Sequence, residues 1–188
     1  MNIFYLHEDP KICAQYHNDK HCVKMILEYA QLLSTAHRVL DGTECVVLSK
    51  TGRKKKTWSL PDLECDSLFY SATHINHPSA KWVRHSGNNY RWLYRLFREL
   101  CAEYTYRYGK IHLTETKLGD LLKEPPKNIA HGDFTPPWRA MPDDIKIGND
   151  VLASYRNYYI KSKTHLANWS GKVNSRNIPE WYNANLRF

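Results

Sequence analysis

Apolar side chains recur every three or four positions along three long segments, the spacing that places them on one buried face of a helix. The first segment, residues 9–40, opens with an Asp-Pro pair, and an aspartate cap followed by proline favours a helix start. The second, residues 79–108, is predicted to kink near Gly87 and to end at a glycine. The third begins at residue 144 or 149 and runs to residue 169. The pattern therefore predicts three long helices.

Shorter elements fill the remaining chain. Residues 2–7 alternate and are rich in β-prone side chains, which predicts a short strand, and residues 45–48 form a second β-prone run. Residues 62–74 and 115–122 are predicted to be short helices. Residues 124–142 carry five of the nine prolines, so this stretch is predicted to be an ordered loop that serves as a lid or pocket wall.

Together these elements predict a mainly α fold with three long helices and several short ones, and they allow a small β-hairpin beside them. No stretch has the composition of a linker, so residues 1–188 are predicted to form a single domain.

Charge makes a polyanion the expected partner. Lysine and arginine number 27 against 19 acidic residues, which gives a net charge of +8. The alternative is a basic surface that only keeps the protein soluble. P-loop, Rossmann and G-x-S-x-G motifs are absent, which disfavours those enzyme classes.

Cysteine usage and hydropathy indicate the cellular compartment in which the protein is found. No apolar run reaches the roughly 20 residues that cross a bilayer, and the start lacks the features of a signal peptide. The five cysteines contain no C-x-x-C pair, which favours a reduced setting. We therefore expect a cytoplasmic protein with no membrane partner.

One polar stripe of the first helix carries candidate chemistry. Steps of four, three, four and three residues place its members on one line over about three turns. They are His17, His21, Lys24, Glu28 and Gln31. A general acid/base site is one interpretation, because histidine suits proton transfer near neutral pH. A solvated or core-satisfied stripe is another.

A metal site built on His17 and His21 is the third interpretation of this stripe. The i, i+4 spacing is that of zincins, but the sequence HNDKH lacks their glutamate after the first histidine. We therefore predict no metal and no other cofactor.

The break before the second long helix gathers groups suited to phosphate. A helix start presents free N–H groups and the positive end of the helix dipole. Trp82 either stacks on a base or anchors the helix. The candidate substrate-binding residues here are Asn76, His77, Lys81 and Arg84, with Trp82 as a DNA contact.

Other candidate contacts lie on three further segments. The basic loop KTGRKKKTW favours a clamp on a sugar–phosphate backbone and also resembles a nuclear-localisation patch. Tyr155 belongs to the apolar stripe of the third helix and is also a candidate DNA contact. The full set is Lys50, Arg53, Lys54, Lys55 and Lys56 in the loop, Tyr155, Arg156 and Lys161 on the third helix, and Trp138 and Arg139 in the proline-rich stretch.

Several of these motifs together resemble a protein family that is widespread in tailed phages. They are YHNDKHCVKMILEYAQLLSTAHR, NHPSAKWVR, EYTYRYGKIH and YRNYYIKSK with PEW, and they span nearly the whole chain. The chain resembles the phage amino acid:DNA transferases of thymidine hypermodification. This resemblance implies a DNA-modifying enzyme in the cytoplasm of an infected bacterial host, with phage DNA and a free amino acid as substrates.

The resemblance also implies roles for the candidate residues. A base must keep the amino-acid amine neutral, for which His17, His21 and Glu28 are candidates beside Lys24. Cations must hold the leaving pyrophosphate, and an arginine must bind the amino-acid carboxylate. Candidates for the first task are Lys20, Lys24, Lys81 and Arg84, and those for the second are Arg139 and Arg156. Trp82 or Trp138 would receive the extruded base.

A weaker likeness connects the chain to phage pyrimidine-dimer DNA glycosylases. Those enzymes use an N-terminal amine on a small residue together with a helix glutamate, for which Glu28 is the candidate. Here Asn2 follows Met1, so removal of Met1 is not expected. A glycosylase/lyase and a non-enzymatic nucleic-acid-binding protein therefore remain the alternatives to a transferase.

Overall fold

The first predicted helix is two helices in the computed structural model, which describes residues 1–48 and 51–184. Helix α1 spans Pro10–Tyr16 and α2 spans Asp19–Asp41. His17 and Asn18 between them have extended backbone, and the Asn18 side chain accepts a hydrogen bond from the His21 amide. An asparagine cap inside a continuous apolar pattern thus restarts the helix, and the prediction of one uninterrupted helix was wrong.

A two-stranded antiparallel hairpin follows α2. Strand β1 spans Thr43–Leu48 and β2 spans Lys54–Ser59. The predicted β-prone run is therefore confirmed, but the lysines assigned to a loop lie on β2. Lys56 forms an ion pair with Glu44 across the hairpin, at 2.8 Å. Lys50 lies outside the described residues.

The second predicted helix is also divided. After α3 (Leu63–Leu68), α4 spans Pro78–His85 and α5 spans Gly87–Tyr108. The break lies at Ser86, whose hydroxyl accepts from the Asn89 amide and so caps α5. Helix α5 ends at Gly109, which has a φ of 66° in the left-handed region that favours glycine. The structure therefore has a break at Ser86, beside the predicted kink near Gly87, and it confirms the predicted helix end at Gly109.

The C-terminal part contains short elements around one longer helix. Helix α6 spans Leu113–Leu118, and residues 124–142 contain no helix or strand. Two single turns of 3₁₀ helix cover Asp143–Ile145 and Thr164–Leu166 and flank α7 (Val151–Ser162). The chain then forms α8 (Glu180–Asn183). The third long helix is therefore shorter than predicted and stops before residue 169.

The N-terminal segment crosses the hydrophobic core without joining a sheet. Ile3, Phe4, Tyr5 and Leu6 are all buried, although the predicted strand over residues 2–7 is absent. Side chains satisfy its amides instead of a neighbouring strand. The Phe4 amide donates to the Tyr29 hydroxyl at 3.2 Å, and the Leu6 amide donates to the Cys13 thiol at 3.4 Å. The β-prone residues are used here for burial rather than for pairing.

Helix α2 is the centre of the fold. It packs against α5, α4 and α6, while α1 packs on α5. A single core cluster joins these helices to the N-terminal segment and to Tyr155 and Tyr159 of α7. The protein is therefore mainly α, as predicted. Val23 and Leu27 have helical spacing with the buried Ala30, which would predict a core position, but both lie on the exposed side of α2.

A buried arginine fixes the junction between α1 and α2. The Arg107 guanidinium on α5 donates to the main-chain carbonyls of Gln15 and His17, both at 2.9 Å. It also donates to Glu103 at 2.6 Å and to Asp19 at 3.0 Å. These bonds hold the end of α1 and the start of α2 in place and so position the histidines on either side of the break.

Candidate active site

His17, predicted to be catalytic, is a core residue. It is fully buried, and its Nδ1 lies 2.8 Å from the Cys13 carbonyl, which can only accept. The proton of the neutral ring is therefore on Nδ1, and Nε2 accepts from the Tyr29 hydroxyl at 2.8 Å. Burial lowers the pKa of His17 to about 4. With both nitrogens occupied inside the core, His17 has a structural role.

His21 lies at the boundary between core and surface. Its Nδ1 is 2.5 Å from the Tyr159 hydroxyl, and its ring stacks on Phe4 with centroids 4.3 Å apart. Burial, reinforced by the charges of His17, Lys163 and Lys24, lowers its pKa to about 3. The ring is therefore neutral at physiological pH, and His21 lines two cavities.

The smaller cavity surrounds Glu28 and has a volume of about 250 Å³. Glu28 is the sole carboxylate among its lining residues, and only 13% of its side chain is exposed. Lys24 Nζ lies 3.0 Å from Glu28 Oε1, and the Met1 amino group lies 3.7 Å from Oε2. The lining residues are Met1, Asn2, Phe4, His21, Lys24, Met25, Glu28, His77, Ala140, Tyr158 and Lys163.

The predicted break before α4 contributes one wall of this cavity. His77 caps α4 by accepting from the Ser79 amide at 3.2 Å. Burial lowers its pKa below the ordinary value. His74 has a φ of 48°, which is rare for a residue with a side chain, and its ring bonds to the Thr73 hydroxyl at 2.7 Å. The fold therefore brings a histidine of this break beside Lys24 and Glu28 of the helix stripe.

The other candidate residues of this break differ in whether their side chains are exposed to solvent or bonded within the protein. Asn76 and Lys81 are exposed close in sequence to His77. Arg84 donates to the Ile75 carbonyl at 2.7 Å, and burial lowers the pKa of its guanidinium. Gln31, the last member of the predicted stripe, is partly buried and does not line the Glu28 cavity.

A larger cavity of about 750 Å³ adjoins the first. His21, Lys24 and Lys163 line both cavities, so the two lie side by side and share these residues as a boundary. The remaining members are Asp19, Lys20, Val23, Tyr104, Tyr108, Leu166, Asn168, Ser170, Gly171 and Lys172. Four of the lining residues are lysines and one is acidic, so this face attracts anions.

Two aromatic residues predicted to contact DNA are packed inside the protein. Trp82 is fully buried, and its indole N–H donates to the Thr135 carbonyl at 2.9 Å. Tyr155 is also fully buried, and its hydroxyl donates to the Trp138 carbonyl at 2.8 Å. Neither ring can stack on a base in this structure. They anchor α4 and α7 to the proline-rich segment.

The predicted arginine and tryptophan contacts have other partners. Arg156 donates to the Leu6 carbonyl at 3.0 Å and lies over the Trp181 ring at 5.3 Å. Arg139 donates to the Gly148 carbonyl. Trp138 is 42% exposed and packs edge-on near His85. Of the proline-rich segment, Ala140 forms part of the cavity wall, as a predicted pocket wall would.

The remaining predicted DNA contacts lie away from both cavity linings. Arg53 and the three lysines of β2 are exposed on the hairpin, and Lys161 is exposed on α7. None of them lines either cavity. Arg53 and the three lysines therefore form a basic surface on the hairpin, outside the two cavities.

The sequence missed several residues of this face. Lys163 and Tyr158 come from the motif YRNYYIKSK, which was part of the family resemblance but gave no reason to choose these positions. Lys163 lies 5.0 Å from the centre of the Tyr158 ring. Asn2 donates from Nδ2 to the Ala140 carbonyl at 2.9 Å and closes the cavity on the N-terminal side. Only the folded chain places these groups beside α2.

The described part of the chain contains neither a metal-binding cluster nor a membrane-spanning helix. Over residues 1–48 and 51–184, no three histidine, cysteine or acidic side chains cluster in a way that would hold a metal ion. In the same residues, no helix combines the length and hydropathy of a membrane span. Comparisons with protein-family models, with curated proteins and with solved structures gave no match.

Proposed function

We propose that the protein is a DNA-modifying transferase that joins a free amino acid to an activated 5-hydroxymethyluracil base. The amine nitrogen attacks the methylene carbon on C5 of the base, and the bond from this carbon to the pyrophosphate oxygen breaks. Pyrophosphate leaves, and the attacking nitrogen gives up a proton. The site must therefore take a proton, hold an anionic leaving group and admit one base.

The Glu28 cavity supports this proposal most directly. Its one carboxylate is mostly shielded from solvent and lies 3.0 Å from the Lys24 ammonium. Glu28 is the group that can take the proton from the amino-acid amine, because an ionised carboxylate only accepts.

Cations beside the cavity provide for the leaving group. Lys24 and Lys163 line both cavities, and Lys20 lines the larger one. Ammonium groups bind phosphate oxygens through charge-assisted hydrogen bonds. If Tyr159 donates to His21 Nδ1, the neutral ring carries its proton on Nε2 and offers a further donor to the same space. These groups would assist the departure of pyrophosphate.

Replacing Glu28 by glutamine tests the assignment. We expect Glu28→Gln to lower turnover by roughly 100-fold or more, the usual scale for a lost proton acceptor, while DNA affinity is retained. The measurement uses DNA that carries pyrophosphorylated 5-hydroxymethyluracil and a mixture of amino acids. Digestion to nucleosides and mass spectrometry then quantify the adduct.

Glu115→Gln is the matched control. Glu115 lies on α6, lines neither cavity and pairs with Arg98 at 3.6 Å, so it undergoes the same chemical change and loses an ion pair of its own. Its turnover should stay near the unmodified level. Normal turnover in Glu28→Gln would contradict the role of Glu28, and failure of every amino acid to form an adduct would contradict the transferase.

The Lys24–Glu28 pair also favours a second candidate, a DNA glycosylase/lyase. A primary amine beside a carboxylate can attack the sugar C1′ and form a Schiff base as the base departs. Borohydride would then trap the protein on DNA that contains damaged pyrimidines. Lys24→Arg keeps the charge but cannot form this adduct, so loss of trapping in that variant would identify Lys24 as the nucleophile.

A further inference from the structure

We infer that the larger cavity is a track for single-stranded DNA that leads to the Glu28 cavity; this inference rests on the proposed function, because DNA is the acceptor there. We call it the lysine track. It is defined by Lys20, Lys24, Lys163, Lys172, Tyr104 and Tyr108. Most of these residues gave no sign of this role in the sequence.

Most of the positive charge of the lysine track has no acidic partner. Asp19 is its one acidic member, and both of its oxygens are already engaged. Oδ1 accepts from the buried Arg107 at 3.0 Å, and Oδ2 accepts from the Gly171 amide at 3.0 Å. Lys24 is paired with Glu28 of the smaller cavity at 3.0 Å, so Lys20, Lys163 and Lys172 are the track lysines that no carboxylate of the lining neutralises. Such a surface suits a chain of phosphates.

The walls of the track are held rigidly by main-chain hydrogen bonds. The Asp19 amide donates to the Asn168 carbonyl at 2.7 Å, and the Lys172 amide donates to the Arg107 carbonyl at 3.0 Å. The 168–172 segment is thus fixed to the start of α2 and to the end of α5. The main chain that carries Lys172 is therefore fixed relative to α2, which carries Lys20 and Lys24, before any ligand binds, and this reduces the ordering cost of binding.

Aromatic rings line the same space. Tyr104 and Tyr108 lie one turn apart on α5, with centroids 4.9 Å apart, and both are partly exposed. Aromatic side chains interleaved with cations bind single strands, because unpaired bases stack on the rings while the backbone follows the positive charge. Bases inside a duplex are already stacked and offer no free face. The rings therefore favour a single strand over a duplex.

The shared boundary of the two cavities gives the track a direction. The Glu28 cavity, with a volume of about 250 Å³, is much too small to hold a duplex. The major groove of a duplex is by itself about 12 Å wide. An enzyme that reacts with a base takes it out of the stack. Lys24, Lys163 and His21 line both cavities, so a strand on the track would deliver an unpaired base past them to Glu28.

Binding of a labelled oligothymidylate over a range of salt concentrations tests this inference. We expect the combined Lys20→Ala, Lys163→Ala and Lys172→Ala variant to reduce the slope of log K against log salt by about 2, since each phosphate contact to a single strand contributes about 0.7. Tyr104→Leu keeps apolar packing but removes the aromatic face, and it should weaken binding by roughly tenfold. Thermal melts confirm that each variant is folded.

Arg95→Ala is the matched control. Arg95 is exposed on α5, nine residues before Tyr104, which places it on the opposite side of the helix. Its slope and affinity should equal those of the unmodified protein. The combined Lys54→Ala, Lys55→Ala and Lys56→Ala variant examines the hairpin as the rival contact, and it should change the slope less than the track variant does.

Failure of this inference is distinguishable from failure of the proposed function. An unchanged slope in the track variant, a larger loss in the hairpin variant, or tighter binding of duplex than of oligothymidylate would overturn the track while leaving the Glu28 chemistry intact. A reduced slope with no adduct formed by any amino acid would support the track and contradict the transferase.

Discussion

Replacing Arg107 by methionine is expected to destabilise the protein by about 3–5 kcal/mol, the usual cost of breaking a buried ion pair from one side. Arg107 is fully buried and makes four polar contacts, two of them to main-chain carbonyls. Methionine fills much of the space but donates nothing. Glu103 would keep Arg176 at 2.9 Å, whereas the carbonyls of Gln15 and His17 would be left unpaired inside the protein.

Urea unfolding measures this effect directly. The midpoint should fall sharply in Arg107→Met, while Arg95→Met, an exposed arginine on the same helix, should stay within about 0.5 kcal/mol of the unmodified protein. Arg107→Lys should fall between them, because lysine keeps the charge but cannot reach several partners with a planar fork. A loss below about 1 kcal/mol in Arg107→Met would show that the network contributes little to stability.

The role of Arg107 illustrates what the sequence alone could not predict. In the run EYTYRYGK it resembles the other surface arginines of the same helix. Its partners at Gln15, His17 and Asp19 are about 90 positions away, and no local periodicity relates the two segments. Whether an arginine can be buried depends on partners that are distant along the chain, and a single sequence does not reveal these partners.

The helical content was predictable because each long helix keeps an apolar stripe against the core. The breaks were harder, since the stripe of α1 continues into α2 and that of α4 into α5. Asn18 and Ser86 interrupt them as caps, and polar residues of this kind also occur inside helices. The extended N-terminal segment was misassigned for a different reason. β-prone residues favour burial in a core as readily as pairing in a sheet.

The candidate site was predictable in part because helical periodicity decides which side chains share one face of a helix. Steps of three and four residues bring His21, Lys24 and Glu28 to one face of α2, and all three line the cavity. His17 lies in the break between α1 and α2, and its side chain is fully buried. Lys163 reaches this face because His21 bonds to Tyr159, which is 138 positions further along the chain. Such an approach depends on the tertiary fold alone.

Acidification is expected to unfold the protein, because three histidines are held neutral in the folded state. Burial lowers the pKa of His17 to about 4, of His21 to about 3 and of His37 to about 4. In the unfolded chain these rings bind a proton near the ordinary value of about 6.5. The unfolded state thus binds more protons between about pH 4 and 6.5, so stability is complete above this window and falls as the pH falls through it.

The expected loss is large compared with the stability of a domain. Each pKa unit corresponds to about 1.4 kcal/mol, so each of the three rings costs nearly 3 kcal/mol at pH 4.5, or about 8 kcal/mol together. Domains of this kind have about 5–15 kcal/mol in total. We therefore expect the urea midpoint to decrease steeply between pH 6.5 and 4.5.

The slope of stability against pH isolates the histidines from other effects of a substitution. His17→Gln is expected to lower stability at pH 7, because its hydrogen bonds to Cys13 and Tyr29 are lost, but also to reduce the pH slope by about a third, since one of three proton-binding differences is removed. His131→Gln, at an exposed position, should leave the slope unchanged. A flat profile between pH 6.5 and 4.5 in the unmodified protein would mean that these rings are not buried and neutral, and the structural role assigned to His17 would have to be abandoned.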